Sequence, residues 1–285
     1  MSVKKYLDQL DDLSNKEVLV TGGTSGIGLK IVDHLLYKGA KVVVLARNEE
    51  KAKEVKSNLL IKYPNAQLDF IKYDQNDNKS IAHACDEIIN NHQGFYALVF
   101  NAGIFSMKKD ENGTIPLTIK TNFIGLAYFL KLLVPRLNGK HRLIVQGSLV
   151  AGWRNKRINS LKDNKLSNFQ KYIISKSGCE ALFGYYQESG PKNLSFYLVE
   201  PGLTATDIIR EFHTPIRQMG KVAMKVFPNS TPKAALPAML ALQENISPCF
   251  IVPRGLFACR GYPKIKPFPK KRNRANLLNL LEEVI

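Results

Sequence analysis

The glycine-rich stretch TGGTSGIG, Thr21 to Gly28, separates an apolar, β-branched run, EVLV, from a helix-like segment, LKIVDHLLYKGA. Glycine at Gly22, Gly26 and Gly28, with Thr24, Ser25 and Ile27 between them, lets backbone approach a ligand closely. The helix N-terminus behind the loop favours an anion. The alternative for this stretch alone is an ordinary strand-to-helix turn, so the flanking chain has to decide.

Outward from the loop, strand-length apolar runs recur at Val18 to Val20, Val42 to Leu45, Leu68 to Tyr73, Ala97 to Phe100, Leu143 to Val145 and Phe196 to Val199. Segments with apolar residues at helical spacing fill the gaps: Ile27 to Tyr37, Lys51 to Ile61, Ile81 to Asn90, Ile119 to Leu137 and Phe169 to Gln187. Strand and helix alternating at this period predict an α/β fold, a Rossmann-type doubly wound parallel sheet with helices on both faces in a single domain. The glycine loop then occupies the first strand-to-helix turn, where such folds bind dinucleotides. Past residue 200 the alternation fades, and Ser230-Thr231-Pro232 signals a further helix start, a cap before proline in the first turn.

Composition bounds the rest. A chain of 285 residues with 45% hydrophobic content and no uninterrupted run of about 18 apolar residues reads as a soluble domain with a full core. The opening MSVKKYLDQLDDLSNK lacks the apolar centre of a signal peptide. Cys85, Cys179, Cys249 and Cys259 have neither metal nor disulfide spacing, so no metal site and a reducing, cytoplasmic setting are expected. Against 24 acids stand 41 lysines and arginines, a net charge of +17. Arg254, Arg260, Lys264, Lys266, Lys270, Lys271, Arg272 and Arg274 form a run without an acid. Such a run either attracts phosphates, of nucleic acid or of anionic lipid, or is a solvated face. No RNA-binding aromatic motif or zinc-finger spacing accompanies it, so nucleic acid is not the expected partner.

The second strand ends VVVLARNEEKA, with Ala46 and Arg47 where a NAD-binding protein usually places an acid for the ribose hydroxyls. Arginine can pair with a 2′-phosphate, and the missing carboxylate removes the repulsion against one. NADP(H) is therefore expected in preference to NAD(H), unless Arg47 is only a surface residue.

These segments together resemble the short-chain dehydrogenase/reductase family over nearly the whole chain. TGGTSGIG is similar to its TGxxxGxG loop, and Asp74 stands where the family has an acid facing the adenine. Asn101-Ala102-Gly103 matches its NAG motif, Asn122 the asparagine of the following helix, and Ser148 the serine after the fifth strand. Tyr172 and Lys176 match YxxxK, while Pro201-Gly202 and Thr204 to Thr206 match the loop that closes over nicotinamide. The resemblance implies Asn122, Ser148, Tyr172 and Lys176 as the catalytic set, acting on a carbonyl or alcohol. An unassisted tyrosine, with a reference pKa of about 10, is a poor acid or base near neutrality. A lysine beside the phenol favours its anion, a serine can bond the oxygen on which charge develops, and Asn122 is expected to hold a water beside Lys176. The hydride comes from the cofactor.

YxxxK also occurs at Tyr37/Lys41 and Tyr262/Lys266, but Gly39 interrupts the first and Pro263 the second. Only Tyr172 and Lys176 lie in a long helical pattern, where residues four apart share a face. The long segment between Ser148 and Tyr172 and the tail FIVPRGLFACRGYPKIKP resemble the retinol-dehydrogenase-like branch. Residues 1–253 thus read as the nucleotide-binding domain, with a lid over about 206–230 whose apolar face lines a lipophilic pocket or merely packs on the sheet. Residues 254–285 read as a basic C-terminal extension with a short helix, peripheral to an anionic membrane. Many oligomeric members end instead in a strand that packs across a subunit interface, so a monomer or dimer is expected rather than a tetramer. The competing reading is an NADP-binding scaffold without turnover, whose basic tail binds membrane or nucleic acid.

Overall fold

The computed structural model describes residues 1–106, 115–151, 159–163, 165–204, 229–269 and 274–285. After a short helix, α1 (Val3–Leu7), come β1 (Glu17–Thr21), α2 (Gly26–Tyr37), β2 (Lys41–Ala46), α3 (Glu49–Lys62), β3 (Leu68–Lys72), α4 (Asn78–Asn91) and β4 (Ala97–Phe100). A long helix follows, built from α5 (Leu117–Ile119), a π turn (Lys120–Gly125) and α6 (Leu126–Leu133). Next come β5 (His141–Gln146), α7 (Asn168–Ser189), β6 (Leu194–Val199), α8 (Thr231–Ala234), α9 (Leu236–Ala241), β7 (Phe250–Pro253), β8 (Pro263–Lys266) and α10 (Arg274–Glu282).

The strands form one sheet in the order β3-β2-β1-β4-β5-β6-β7-β8. Pairing is parallel from β3 through β7. The last strand corrects the expectation of an all-parallel sheet, because β8 runs antiparallel to β7, Phe250 facing Lys266 and Pro253 facing Pro263. A short connection can reverse the chain into an adjacent antiparallel strand, whereas a parallel return needs a crossover. Strand side chains alternate between two clusters: Leu19, Val43, Leu45, Leu98 and Leu198 on one face, Val18, Val20, Val42, Val44 and Ile144 on the other. Burial on both faces explains why the strands read as continuous apolar runs.

Local sequence sets the helix starts. Asn48, Asp77 and Ser167 cap α3, α4 and α7 through their side chains, and Ser167 and Gln170 complete a capping box. Ser230 occupies the expected cap position of α8, but its side chain makes no capping bond. The helical stretch Leu117–Arg136 is long and apolar, and most of it is buried inside the fold. Packing on the sheet accounts for its apolar character. Within the basic C-terminal stretch, β8 extends the sheet, and Leu277, Leu280 and Leu281 of α10 join the core beneath α7. Arg274 lies over Gly184 of α7 and pairs with Glu188 at 2.8 Å.

Candidate active site

The order β2-β1-β4-β5 reverses direction between β1 and β4, so a crevice opens there at the carboxyl ends of the strands. The glycine loop leaves β1 on one side of it, and Asn101-Ala102-Gly103 leaves β4 on the other. They touch, since a Cβ at Gly22 would lie 3.0 Å from the Ala102 Cα. Gly22 and Gly26 adopt φ of +68° and +55°, a region that disfavours side chains. Unlike α3, α4 and α7, helix α2 has no side-chain cap, for Ser25 makes none. Its first-turn amides, which have no partner within the helix, are left for an anion. This uncapped, glycine-lined terminus fits the pyrophosphate of a dinucleotide.

Buried Thr21 fastens the two loops together, its Oγ1 accepting from the amides of Asn101 at 3.1 Å and Ala102 at 3.0 Å. The Asn101 side chain turns back on the loop and donates to the carbonyls of Thr21 and Gly22, both at 3.3 Å. It therefore shapes the loop. Arg47 is exposed just past the end of β2, next to the strand that ends in the glycine loop. Asp74 follows β3, and its Oδ1 accepts the Asn76 amide at 2.9 Å while its own amide donates to Ser80 Oγ at 2.8 Å.

The π turn carries Asn122, and its wider winding is a feature often found at functional sites. Asn122 Oδ1 accepts from the Ile104 amide at 2.7 Å, and Nδ2 donates to the Ile104 carbonyl at 2.8 Å and to Ser175 Oγ at 3.0 Å. Both amide hydrogens are thus spent on clamping the segment after Gly103 to α7. The expected water beside Lys176 would have to find another donor than this side chain. Lys176 is buried and donates from Nζ to the Gln146 carbonyl at 3.0 Å, tying α7 to the end of β5. A Cβ at Gly103 would lie 3.4 Å from both Lys176 Nζ and Asn122 Oδ1, so these three positions converge. Tyr172, one helical turn earlier and also buried, meets Phe105 edge-on at 5.6 Å between ring centroids. Ser148 sits in the turn after β5, and Ser177 Oγ holds that turn by donating to the Ala151 carbonyl.

Across the crevice, Gly202 adopts φ of +76°, and Asn229 Nδ2 donates to the Pro201 carbonyl at 2.7 Å. Thr204 is buried and bridges to Asn229. Thr206 and nearly all of the segment expected to form a lid, with Phe212 and Met219, lie outside the described residues, as do Lys270, Lys271 and Arg272.

Two site residues escape a reading of the sequence. Asn229 carries no local signal, because its partners Pro201 and Gly261 are remote in sequence. Glu200 does carry one: it is an acid closing an apolar strand immediately before Pro201. It is 2% exposed, its Oε2 has no hydrogen-bond partner among the described residues, and a Cβ at Gly147 would meet its Oε1 at 3.0 Å. Burial and the nearby charge of Glu180 hold its carboxyl well above the usual range, opposed by Lys176 and the Ser148 amide. Burial likewise pushes Glu180 up to about 8 against the pull of Lys176.

A carboxyl that stays protonated in the folded chain, yet ionises near 4.5 when unfolded, makes stability fall as pH rises above that value. For Glu180 the loss runs up to about 8, and Glu200 adds to it in the same direction. Glu200→Gln keeps the shape and cannot ionise. Raising the pH from about 5 to about 8 should therefore lower the stability of the variant, followed by thermal unfolding, less than that of the parent. Parallel pH profiles of the two proteins would show Glu200 to be ionised in the fold.

The short chain dehydrogenase family model matches residues 16–216, and the chain belongs to that family of oxidoreductases. A short-chain dehydrogenase/reductase of Armillaria gallica is 31% identical over 221 residues, covering 73% of this chain and 71% of the relative. Among solved structures, an NADPH-bound short chain oxidoreductase from Pseudomonas aeruginosa PAO1, described as containing an atypical catalytic center, superposes with a TM-score of 0.63 at 22% identity. A short chain dehydrogenase from Burkholderia cenocepacia J2315 in complex with NADP gives the same values, and each match covers 82% of this chain and 92% of the other. At that identity the likeness is one of fold.

Proposed function

We propose that the protein interconverts a lipophilic carbonyl and its alcohol with NADP(H), using Tyr172 as the acid in reduction and the base in oxidation. One observation carries the reading: Lys176 is buried against the Gln146 carbonyl, Gly103 and Asn122, which fixes the Tyr172–Lys176 face of α7 across the crevice from the glycine loop. Gly22, Thr24, Ser25, Gly26, Ile27 and Gly28 would line the pyrophosphate site, with Asp74 toward the adenine and Pro201, Gly202 and Thr204 toward the nicotinamide. Bound there, the cofactor supplies or accepts the hydride. Ser148 holds the substrate oxygen as charge develops on it, Tyr172 delivers or removes the proton at that oxygen, and Lys176 favours the phenolate through its charge.

The test is NADPH oxidation with a series of straight-chain aldehydes and ketones. Each methylene buried should add about 0.8 kcal/mol, roughly a fourfold rise in kcat/KM per carbon until the pocket is full. Preference for short polar carbonyls would overturn the lipophilic reading.

Cofactor choice rests on the exposed Arg47 and the lack of an acid at Ala46. Arg47→Ala removes a charge-assisted bond to the 2′-phosphate, so NADPH affinity should fall by about one to two powers of ten while NADH affinity barely moves. A parent protein that binds NADH more tightly than NADPH in fluorescence titrations would reverse the assignment.

A further inference from the structure

The connection between β7 and β8 has features that folding alone does not require. Leu256 and Phe257 are 64% and 82% exposed at its tip, and Ile265 on β8 is 50% exposed. Phe257 and Ala258 both adopt left-handed backbone, φ of +51° and +58°, where glycine would be the ordinary choice. The strain is held by a closed set of bonds at the base. Arg254 donates from its amide to the Tyr262 carbonyl at 2.7 Å, and Gly255 to the Arg260 carbonyl at 2.8 Å. A segment that keeps two consecutive residues in this region, with an aromatic ring turned to water, is shaped for something outside the fold.

Charge indicates what that is. Arg254, Arg260 and Lys266 are exposed around the tip, Lys264 lies beside them, and residues 245–281 contain no acid. Apolar side chains set in a collar of cations match an anionic bilayer, where the chains meet the acyl boundary and the cations meet lipid phosphates. Nucleic acid matches less well, since Leu256 and Ile265 cannot stack on bases.

The base of the connection also borders the candidate active site. Leu203 donates to the Cys259 carbonyl at 2.7 Å, and a Cβ at Gly202 would meet that carbonyl oxygen at 2.4 Å. A tip docked on a membrane would thus hold the loop after β6 close to the bilayer.

We propose that Leu256 and Phe257 form a membrane-docking wedge, seated at the headgroup boundary of an anionic bilayer by Arg254, Arg260, Lys264 and Lys266. Docking needs no substrate; its use, passing a lipophilic carbonyl from bilayer to crevice, rests on the function proposed above.

The full chain is tested by co-sedimentation with phosphatidylcholine vesicles, with and without phosphatidylserine. The parent should pellet with the anionic vesicles and be released by salt. Leu256→Ser with Phe257→Ser should weaken vesicle binding by about tenfold or more, and Arg254→Gln with Lys266→Gln by about tenfold. Both pairs replace exposed side chains, so melting temperature and turnover of a water-soluble aldehyde should stay at parental values. Equal binding to neutral vesicles, parental binding by the serine pair, or displacement from vesicles by a stoichiometric oligonucleotide would each overturn the proposal. Loss of docking with long-chain preference intact would remove the wedge alone. Intact docking with preference for short polar carbonyls would remove the substrate reading alone.

Discussion

Tyr172→Phe should lower turnover by about 10²-fold or more while leaving NADPH affinity and melting temperature close to those of the parent. The substitution keeps the ring that packs on Phe105 and removes only the hydroxyl. The other two YxxxK tyrosines serve as controls, because both hydroxyls are engaged with the N-terminal segment of the chain. Tyr37 OH donates to Asp8 Oδ1 at 2.5 Å, and the Tyr262 ring packs tilted against Tyr6 with its hydroxyl donating to the Met1 carbonyl. Phenylalanine at either position should change turnover only a few-fold. Steady-state kinetics on all three variants checks the choice, and comparable losses at every position would mean that the proton comes from elsewhere.

The second large effect is expected at Gly28. A Cβ there would lie 2.3 Å from the Gly22 carbonyl oxygen and 2.4 Å from Asn101 Nδ2. Neither can yield easily. The carbonyl belongs to the loop itself, and the asparagine amide is the group that holds that loop. Gly28→Ala should therefore force the loop open, costing about 1–3 kcal/mol of stability, which is about 2–12 °C in a chain of this size. NADPH binding should fall more steeply than stability, because the displaced amides are those proposed to face the pyrophosphate. Thermal unfolding together with fluorescence titration separates the two effects. Parental NADPH affinity in a folded Gly28→Ala protein would place the cofactor elsewhere.

The physics of the glycine loop and of the helical pair is local, and both are legible in the order of residues alone. Left-handed φ at Gly22 and Gly26 is demanded by a turn a few residues long. The shared face of Tyr172 and Lys176 follows from helix geometry. The six strand runs are equally plain, because a sheet covered on both sides needs apolar residues at nearly every position. Asn122 is legible as a site residue but not in its action, since its clamp on Ile104 depends on a π turn that no spacing signals.

What tertiary structure alone decided has remote partners in common. Tyr37 and Tyr262 are set aside by Asp8 and Met1, and Asn229 acts through Pro201 and Gly261. Strand β8 is antiparallel because it borrows the edge of β7, and α10 belongs to the core because α7 offers it a face. Glu200 is visible as an acid closing an apolar strand, but its raised pKa comes from burial and the nearby Glu180 in the folded chain. Backbone sterics and side-chain period act over one or two turns of chain, so sequence by itself determined the fold class, the glycine loop and the Tyr172–Lys176 pair. Burial and electrostatics depend on which distant segments share a volume, and only the folded chain could say which polar groups lose their water at the crevice and which apolar ones, at Leu256 and Phe257, keep it.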